Sequence, residues 1–307
     1  GNRALKHLAV TAFAAALSTA SVSAADTASG PPTEQRALCH AGPLEILLTN
    51  DDGVDAAGIR ALHAQLLAAG HRVMLVAPDR NASGSAMSFT WGAVRVTRDP
   101  SDTNVVAVGG TPATAVVLGA TALYPAGRRP DLVISGINHG PNAGALLALS
   151  GTVGAALAGA VLLDPPIPGI AVNAARAVAG EPIDSVANRA QLDAVARDAT
   201  SLIAAYRNWF CDGGRVVRAG TVLNVNYPGL PVSQLKGTRM TRQGSASDLR
   251  IAFEQTAAGE YTARTRRIEV IDDRDSDNYW LAAGYVTITP LGAELAYDAA
   301  RDAPSQR

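Results

Sequence analysis

Aromatic residues make up only 5% of this 307-residue chain. So few large rings argue against an aromatic-rich β-sandwich and suit close-packed α/β layers rich in Ala, Gly and Val. Charge is sparse too: 26 basic and 27 acidic residues leave a formal charge of −1, so the chain lacks the basic field of a general nucleic-acid binder. No apolar run reaches the about 20 residues that cross a bilayer. Only two cysteines occur, Cys39 and Cys211, with no Cys-x-x-Cys and no clustered His/Cys pattern, which argues against a structural zinc site. What the chain does have is apolar bulk, 48% of its residues, enough to bury a substantial core in one large or two ordinary domains.

The first residues do not read as part of a fold. Arg3 and Lys6 precede the acid-free apolar run "LAVTAFAAAL", which leads into small residues ending "SVSA". That order predicts a secretory signal over residues 1–24, cut between Ala24 and Ala25, and hence an exported chain, periplasmic or secreted. Residues 25–43 read as a flexible linker. In an exported chain Cys39 and Cys211 could pair and tie that linker to the body; two separate thiols is the other reading.

From there the pattern is regular. "LEILLT" (44–49) is a short apolar run of buried-strand type, followed by Ile59, Leu62, Leu66 and Leu67 at helical spacing, with Gly70 as a stop. "RVMLVAP" (72–78), "DLVIS" (131–135) and "IPGIAVN" (167–173) predict further strands, and "TPATAVVLGATALY" (111–124) and "GTVGAALAGAVLL" (151–163) predict helices. Alternating strands and helices with continuous apolar strands predict an α/β fold: a mostly parallel, Rossmann-like sheet covered by helices on both faces, over residues 44–232. Beyond it, "RMTRQG", "YTARTRRIEVI" and "AAGYVTITPL" show strand character without a helical signal. Residues 233–307 therefore read as a hairpin-like extension with a closing strand, of the kind that pairs with another chain.

The polar residues fall just beyond the carboxyl ends of three predicted strands, where open α/β sheets place their ligands. Asp51 and Asp52 follow the first; Asn81, Ser83 and Gly84 follow the second; Asn138 and Asn142 follow "DLVIS". Two carboxylates, a hydroxyl and an amide oxygen (Asp51, Asp52, Ser83, Asn138) form a hard, all-oxygen set suited to Mg²⁺ or Mn²⁺. A divalent cation would also compensate the adjacent aspartates, one of which should otherwise carry a raised pKa. Ser150, Gly151 and Thr152 open a predicted helix, whose free amides attract an anion, and Asn81, Gly84 and Asn142 are expected phosphate contacts beside them. Cation and anion cradle together suggest a phosphate ester, with Asp51 or Asp52 activating the attacking water. His139, between metal-loop residues, is either a general acid or a loop residue without a role.

Together "ILLTNDDGVDAAGI", "VAPDRNASGSAMSFT", "GGTPATAV", "DLVISGINHGPNAG" and "LSGTVGAALAG", then "LNVNYPGLP" and "GYVTITPL", resemble the SurE family of 5′/3′-nucleotidases, also called survival-protein acid phosphatases. The resemblance runs in family order over roughly residues 44–291. It implies hydrolysis of nucleoside 5′- or 3′-monophosphates, metal ligands at Asp51, Asp52, Ser83 and Asn138, and a C-terminal hairpin exchanged between the subunits of a homodimer or homotetramer. The chain departs from the family pattern at Thr114 and Ala115, where an acidic residue and a cysteine are usual, and at Met87, Leu149 and Ala158, where asparagine or histidine, tyrosine and glutamate are usual. Those departures leave a second reading open, an exported, non-catalytic metal- and nucleotide-binding protein of the same fold. A dinucleotide-dependent oxidoreductase is excluded, since "NDDGVDAAG" lacks the Gly-x-Gly-x-x-Gly spacing and sets carboxylates where a pyrophosphate would sit.

Overall fold

The computed structural model describes residues 38–270 and 272–292. The expected signal and most of the expected linker lie outside these residues. Nine strands form one sheet in the order β10-β13-β9-β6-β5-β1-β2-β4-β3. They are β1 (Glu45–Thr49), β2 (Arg72–Pro78), β3 (Val96–Arg98), β4 (Val105–Val108), β5 (Leu132–His139), β6 (Gly169–Ala174), β9 (Thr221–Tyr227), β10 (Thr238–Met240) and β13 (Val286–Gly292). The central strands are parallel, and antiparallel pairs occur only at β3–β4 and β9–β13. The helices are α1 (Ala57–Ala68), α2 (Pro112–Leu118), α3 (Gly151–Leu162), α4 (Val186–Tyr206) and α5 (Asp277–Ala282).

The central strands are largely apolar because both faces are covered. Ile46, Leu48 and Ile134 pack with Leu62, Leu66, Val195 and Leu202 of α1 and α4; Leu47, Val76 and Val133 face Ala115, Val116 and Ala158 of α2 and α3. From β1 the chain builds outward through β2 to β4, then returns and builds the other way through β5, β6 and β9. The reversal leaves a crevice between the carboxyl ends of β1 and β5, the place such sheets bind ligands.

Three features differ from the expectation. The longest helix, α4, has no counterpart in the sequence reading, although Leu192, Val195, Ala196, Ala199, Leu202 and Ile203 recur at helical spacing on its buried side. Ala282, expected to open the last strand, instead ends α5, a short helix capped by Ser276, whose side chain accepts from the Tyr279 amide. β10 and β13 belong to the main sheet, so the core continues past residue 232. Only β11 (Leu249–Ala257) and β12 (Glu260–Arg267) project as a separate antiparallel hairpin, exposed along almost its whole length.

The end of the expected linker is pinned rather than flexible. Leu38 is buried in the core, and the buried Arg207 donates from Nε to the Leu38 carbonyl at 2.9 Å and from Nη1 to that of Gly42 at 2.8 Å. Cys39 is disulfide-bonded to Cys211, in the small ribbon of β7 (Cys211–Asp212) and β8 (Arg215–Val216), with Cα atoms 5.7 Å apart. A cross-link spanning 172 residues removes much freedom from the unfolded chain. Replacing both cysteines with serine should cost about 2–5 kcal/mol in denaturant unfolding. An unchanged midpoint would show that Arg207 and Leu38 hold the segment unaided.

Candidate active site

Asn50 shapes the mouth of β1. Its side chain spans the turn, donating from Nδ2 to the Gly53 carbonyl at 2.9 Å and accepting from the Gly53 amide at 3.2 Å. This turns the chain sharply and leaves Asp51 and Asp52 side by side at the crevice. Asp51 is only 3% exposed. Thr152 Oγ1 donates to its Oδ1 at 2.6 Å, and the Gly151 and Thr152 amides donate to the same carboxylate. A side chain at Gly151 would stand 2.8 Å from Asp51 Oδ2 and 2.6 Å from Ser85 Oγ, so only glycine lets the helix end come this close. Ser150 caps α3 by accepting from the Val153 amide at 3.0 Å. The anion bound at this helix N-terminus is thus the protein's own Asp51. Ser150, Gly151 and Thr152, expected to bind phosphate, are buried: Ser150 caps the helix, and Gly151 and Thr152 hold the Asp51 carboxylate.

Asp52 accepts from the His139 amide at 3.1 Å, and His139 Nδ1 lies 3.5 Å from its Oδ1. Burial, and then the charge of Asp51, push the Asp52 carboxyl up to about 7. Burial also raises Asp51, opposed by the Thr152 hydroxyl and the helix amides. Burial, with help from Arg176, lowers His139 to about 4, so its ring is neutral at neutral pH. The ring's Nε2 is buried without a hydrogen-bond partner. His139 therefore holds Asp52 through its backbone and contributes no positive charge.

The other two loops converge on the same point. The Asp51 carbonyl accepts from the Ala82 amide at 2.7 Å, which ties the loop that carries Ser83 to the end of β1. Asn81 Oδ1 accepts from the Ser83 amide at 2.9 Å, so Asn81, expected to touch phosphate, shapes the loop. Gly84 follows at the exposed tip with φ +81°. Arg80 pairs with Asp79 through Nε at 2.7 Å. Asn138 donates from Nδ2 to the Gly140 carbonyl at 2.8 Å, which leaves its Oδ1 free to face the aspartates' side of the loop. Asn142, a further expected phosphate contact, is turned inward: its Nδ2 donates to Asn173 Oδ1 at 2.7 Å and its amide to Asn226 Oδ1 at 2.8 Å.

Asn173 in turn donates to Asn224, and Asn224 and Asn226 both donate to the Asn142 carbonyl. Four buried asparagines thus anchor the loop after β5 to β6 and β9. Sequence reasoning missed this cluster, although "VN" in one strand and "LNVN" in another place polar residues where apolar ones would be usual. The departures at Ala115 and Ala158 are core positions between α2 and α3, away from the aspartates. Thr114 Oγ1 accepts from the Thr90 amide at 2.8 Å and meets Thr111 Oγ1 at 2.8 Å.

The profile of the family described as survival protein SurE matches residues 46–249. This chain belongs to the SurE family. A SurE protein named as a 5′/3′-nucleotidase from Yersinia enterocolitica is 37% identical over 265 residues, covering 84% of this chain and 95% of the relative. One from Yersinia pseudotuberculosis is 37% identical over 261 residues, covering 83% and 93%. The crystal structure of the SurE protein from Aquifex aeolicus superposes with a TM-score of 0.66 at 33% identity, covering 84% of this chain and 97% of that one. The Rossmann-like fold expected of a SurE chain is therefore shown.

The donor set fits a hard cation. Among the described residues no group of three or more His, Cys, Asp or Glu side chains gathers; the expected set instead combines two carboxylates with a hydroxyl and an amide oxygen. Ser85 Oγ, beside Asp51, is also buried without a hydrogen-bond partner. Two buried, adjacent carboxylates with no Lys or Arg of the described residues hydrogen-bonded to them are the compensation problem a cation solves.

The raised Asp52 pKa has a fixed sign. Its folded pKa, about 7, exceeds its ordinary 3.8, so it stabilises the cation-free fold at low pH, and that contribution is lost as pH rises from about 4 to 7. Thermal unfolding with EDTA should show stability falling across that window. Added Mg²⁺ or Mn²⁺ should raise the midpoint at pH 8 and have little effect at pH 5. Equal shifts at both pH values would remove Asp52 from the cation site.

Proposed function

We propose that this SurE chain is a 5′/3′-nucleotidase that hydrolyses nucleoside monophosphates at Asp51 and Asp52, with a divalent cation, Mg²⁺ or Mn²⁺, held by Asp51, Asp52, Ser83 and Asn138. The observation that carries the reading is the buried pair of aspartates at the sheet's switch point, with no Lys or Arg of the described residues hydrogen-bonded to it and with the loops that carry Ser83 and Asn138 tied to it through the backbone. The relatives' common naming as nucleotidases supports it, and no observation favours the non-catalytic alternative. When bound, the cation supplies charge neutralisation at a phosphoryl oxygen and acidifies water. Thr152 and the first turn of α3 fix Asp51 in one orientation. Asp52 is the base that takes the proton of the attacking water. The exposed Gly84 amide faces the phosphate oxygens, since those of Gly151 and Thr152 are committed to Asp51. Phosphate release from 5′-AMP and 3′-AMP should be abolished by EDTA, restored by Mg²⁺ or Mn²⁺, and reduced about 100-fold or more in Asp52→Asn. Full activity in EDTA would end the metal-dependent reading.

We infer further that the chain is exported and assembles through the β11–β12 hairpin. The Cys39–Cys211 disulfide supports an oxidising compartment. A two-stranded hairpin is marginal alone, and this one carries exposed Ile251, Phe253 and Tyr261. With alternation along the strands, Ile251 and Phe253 share a face with Tyr261 and Ala263 opposite, while the charged Arg250, Glu254, Arg264 and Arg266 lie on the other. An apolar face of this kind suits exchange with a second copy. Protein recovered from its native compartment should begin at Ala25 and sediment as a dimer or tetramer, and Phe253→Asp should shift it to monomer. A monomeric wild type would overturn the exchange.

A further inference from the structure

Among the described residues, the hydroxyls of Thr49, Ser85, Ser135 and Thr287 are buried without a hydrogen-bond partner. Thr49, Ser135 and Thr287 lie within strands of the sheet. Ser85 differs, because it lies in the loop after β2 and beside a carboxylate. A side chain begun on Gly151 would meet Ser85 Oγ at 2.6 Å and Asp51 Oδ2 at 2.8 Å, so both oxygens converge on the bare face of that glycine. The backbone holds Ser85 there at a cost. Its amide donates to the Ala82 carbonyl at 3.2 Å, its carbonyl accepts from the Ser88 amide at 3.0 Å, and the Ala86 amide donates to the Leu149 carbonyl at 3.2 Å. Ala86 has φ +49°, in the left-handed region that a residue with a Cβ avoids. No other non-glycine residue does so among the described residues. Gly154, one turn along α3 from Gly151, makes the room, since a side chain there would collide with the Ala86 carbonyl.

A strained alanine, two helix glycines and a buried unpaired hydroxyl thus combine to set one oxygen beside Asp51. Strain of this kind persists where function requires it, and a buried hydroxyl calls for a partner. Water does not suit the place. Ser85 Oγ has essentially no surface open to solvent, and a bridging water needs about 2.8 Å to each oxygen. A divalent cation stands closer, about 2.1 Å from the oxygens that hold it, and an alcohol oxygen is as hard a donor as those of the expected set. We propose that Ser85 Oγ is a further oxygen ligand of the cation site, beside Asp51, Asp52, Ser83 and Asn138. The inference rests on the cation of the nucleotidase reading and adds to it a residue outside the four expected oxygens. In the cation-free protein this hydroxyl is a burden, and it contributes only when the cation is bound.

Two variants test this in the full chain with metal ions alone, without substrate. Ser85→Ala removes an unpaired buried hydroxyl, so its unfolding midpoint in EDTA should match or exceed that of the wild type. The same variant should bind Mn²⁺ about tenfold or more weakly by calorimetry at pH 8, and lose part of the midpoint rise that Mn²⁺ gives. A hydroxyl with a merely structural role would lower both midpoints together. Ser85→Cys replaces a hard ligand with a soft one. It should shift preference from Mn²⁺ toward Cd²⁺ by about tenfold or more, and show an ultraviolet thiolate-to-metal absorption absent from the wild type and Ser85→Ala. Unchanged Mn²⁺ affinity in Ser85→Ala would overturn the proposal. So would weaker Mn²⁺ binding in Ser85→Ala without the Cd²⁺ gain in Ser85→Cys, which would make Ser85 a support for Asp51. A wild type that binds no Mn²⁺ would end the cation site of the nucleotidase reading, and the role of Ser85 with it. A wild type that binds Mn²⁺ as tightly as both variants would sink Ser85 alone.

Discussion

The structure depends on a carboxylate placed where water cannot reach it. Asp51 sits at 3% exposure, and an uncompensated charge there would cost several kcal/mol. Compensation comes from the α3 N-terminus: a threonine hydroxyl, two backbone amides and the positive end of the helix dipole. Gly151 is required because any side chain would collide with the carboxylate it serves. The Asp51 carbonyl then anchors the β2 loop through Ala82. One residue thus fixes two of the three loops that form the site, and Asp52, beside it, keeps a raised pKa that Arg176 offsets only in part.

The third loop is fixed by different means. Four buried asparagines exchange hydrogen bonds among themselves and with main-chain carbonyls between β5, β6 and β9. Amides both donate and accept without a net charge, so the network fills a polar gap in the core without the desolvation cost of ions. It holds Asn138 in register with the aspartates. On its far side the same loop packs against the hairpin base, so the site is bounded by the α3 N-terminus on one flank and by the C-terminal extension on the other.

The departures from the family pattern sort by location. Ala115 and Ala158 are packed between α2 and α3, where small size is what close helix packing needs. Thr114 joins Thr111 and Thr90 in tying the loop before β3 to α2. Met87 and Leu149 are exposed near the entrance and leave the aspartates untouched. None of the five removes an oxygen from the expected ligand set.

The sequence by itself determined the mostly parallel sheet and the polar loops at its carboxyl edge, which carry Asp51, Asp52, Ser83 and Asn138. Apolar runs ending in "NDD", "PDRNASG" and "SGINHG" carry local information: strand, sharp turn, polar loop. The longest helix went unread because its small alanines dilute the periodicity, and α5 because six residues carry little pattern. What only the tertiary structure decided is which groups each polar residue meets. The glycine and threonine of "SGT" look like a phosphate cradle, but the nearest anion in three dimensions is Asp51, 101 residues earlier in the chain. Asn142 looks like a ligand contact, but β6 and β9 carry asparagines to it from 31 and 84 residues away. Hydrogen bonding acts over about 3 Å of space, whatever the distance along the chain, so the partners of a buried polar group are settled by packing.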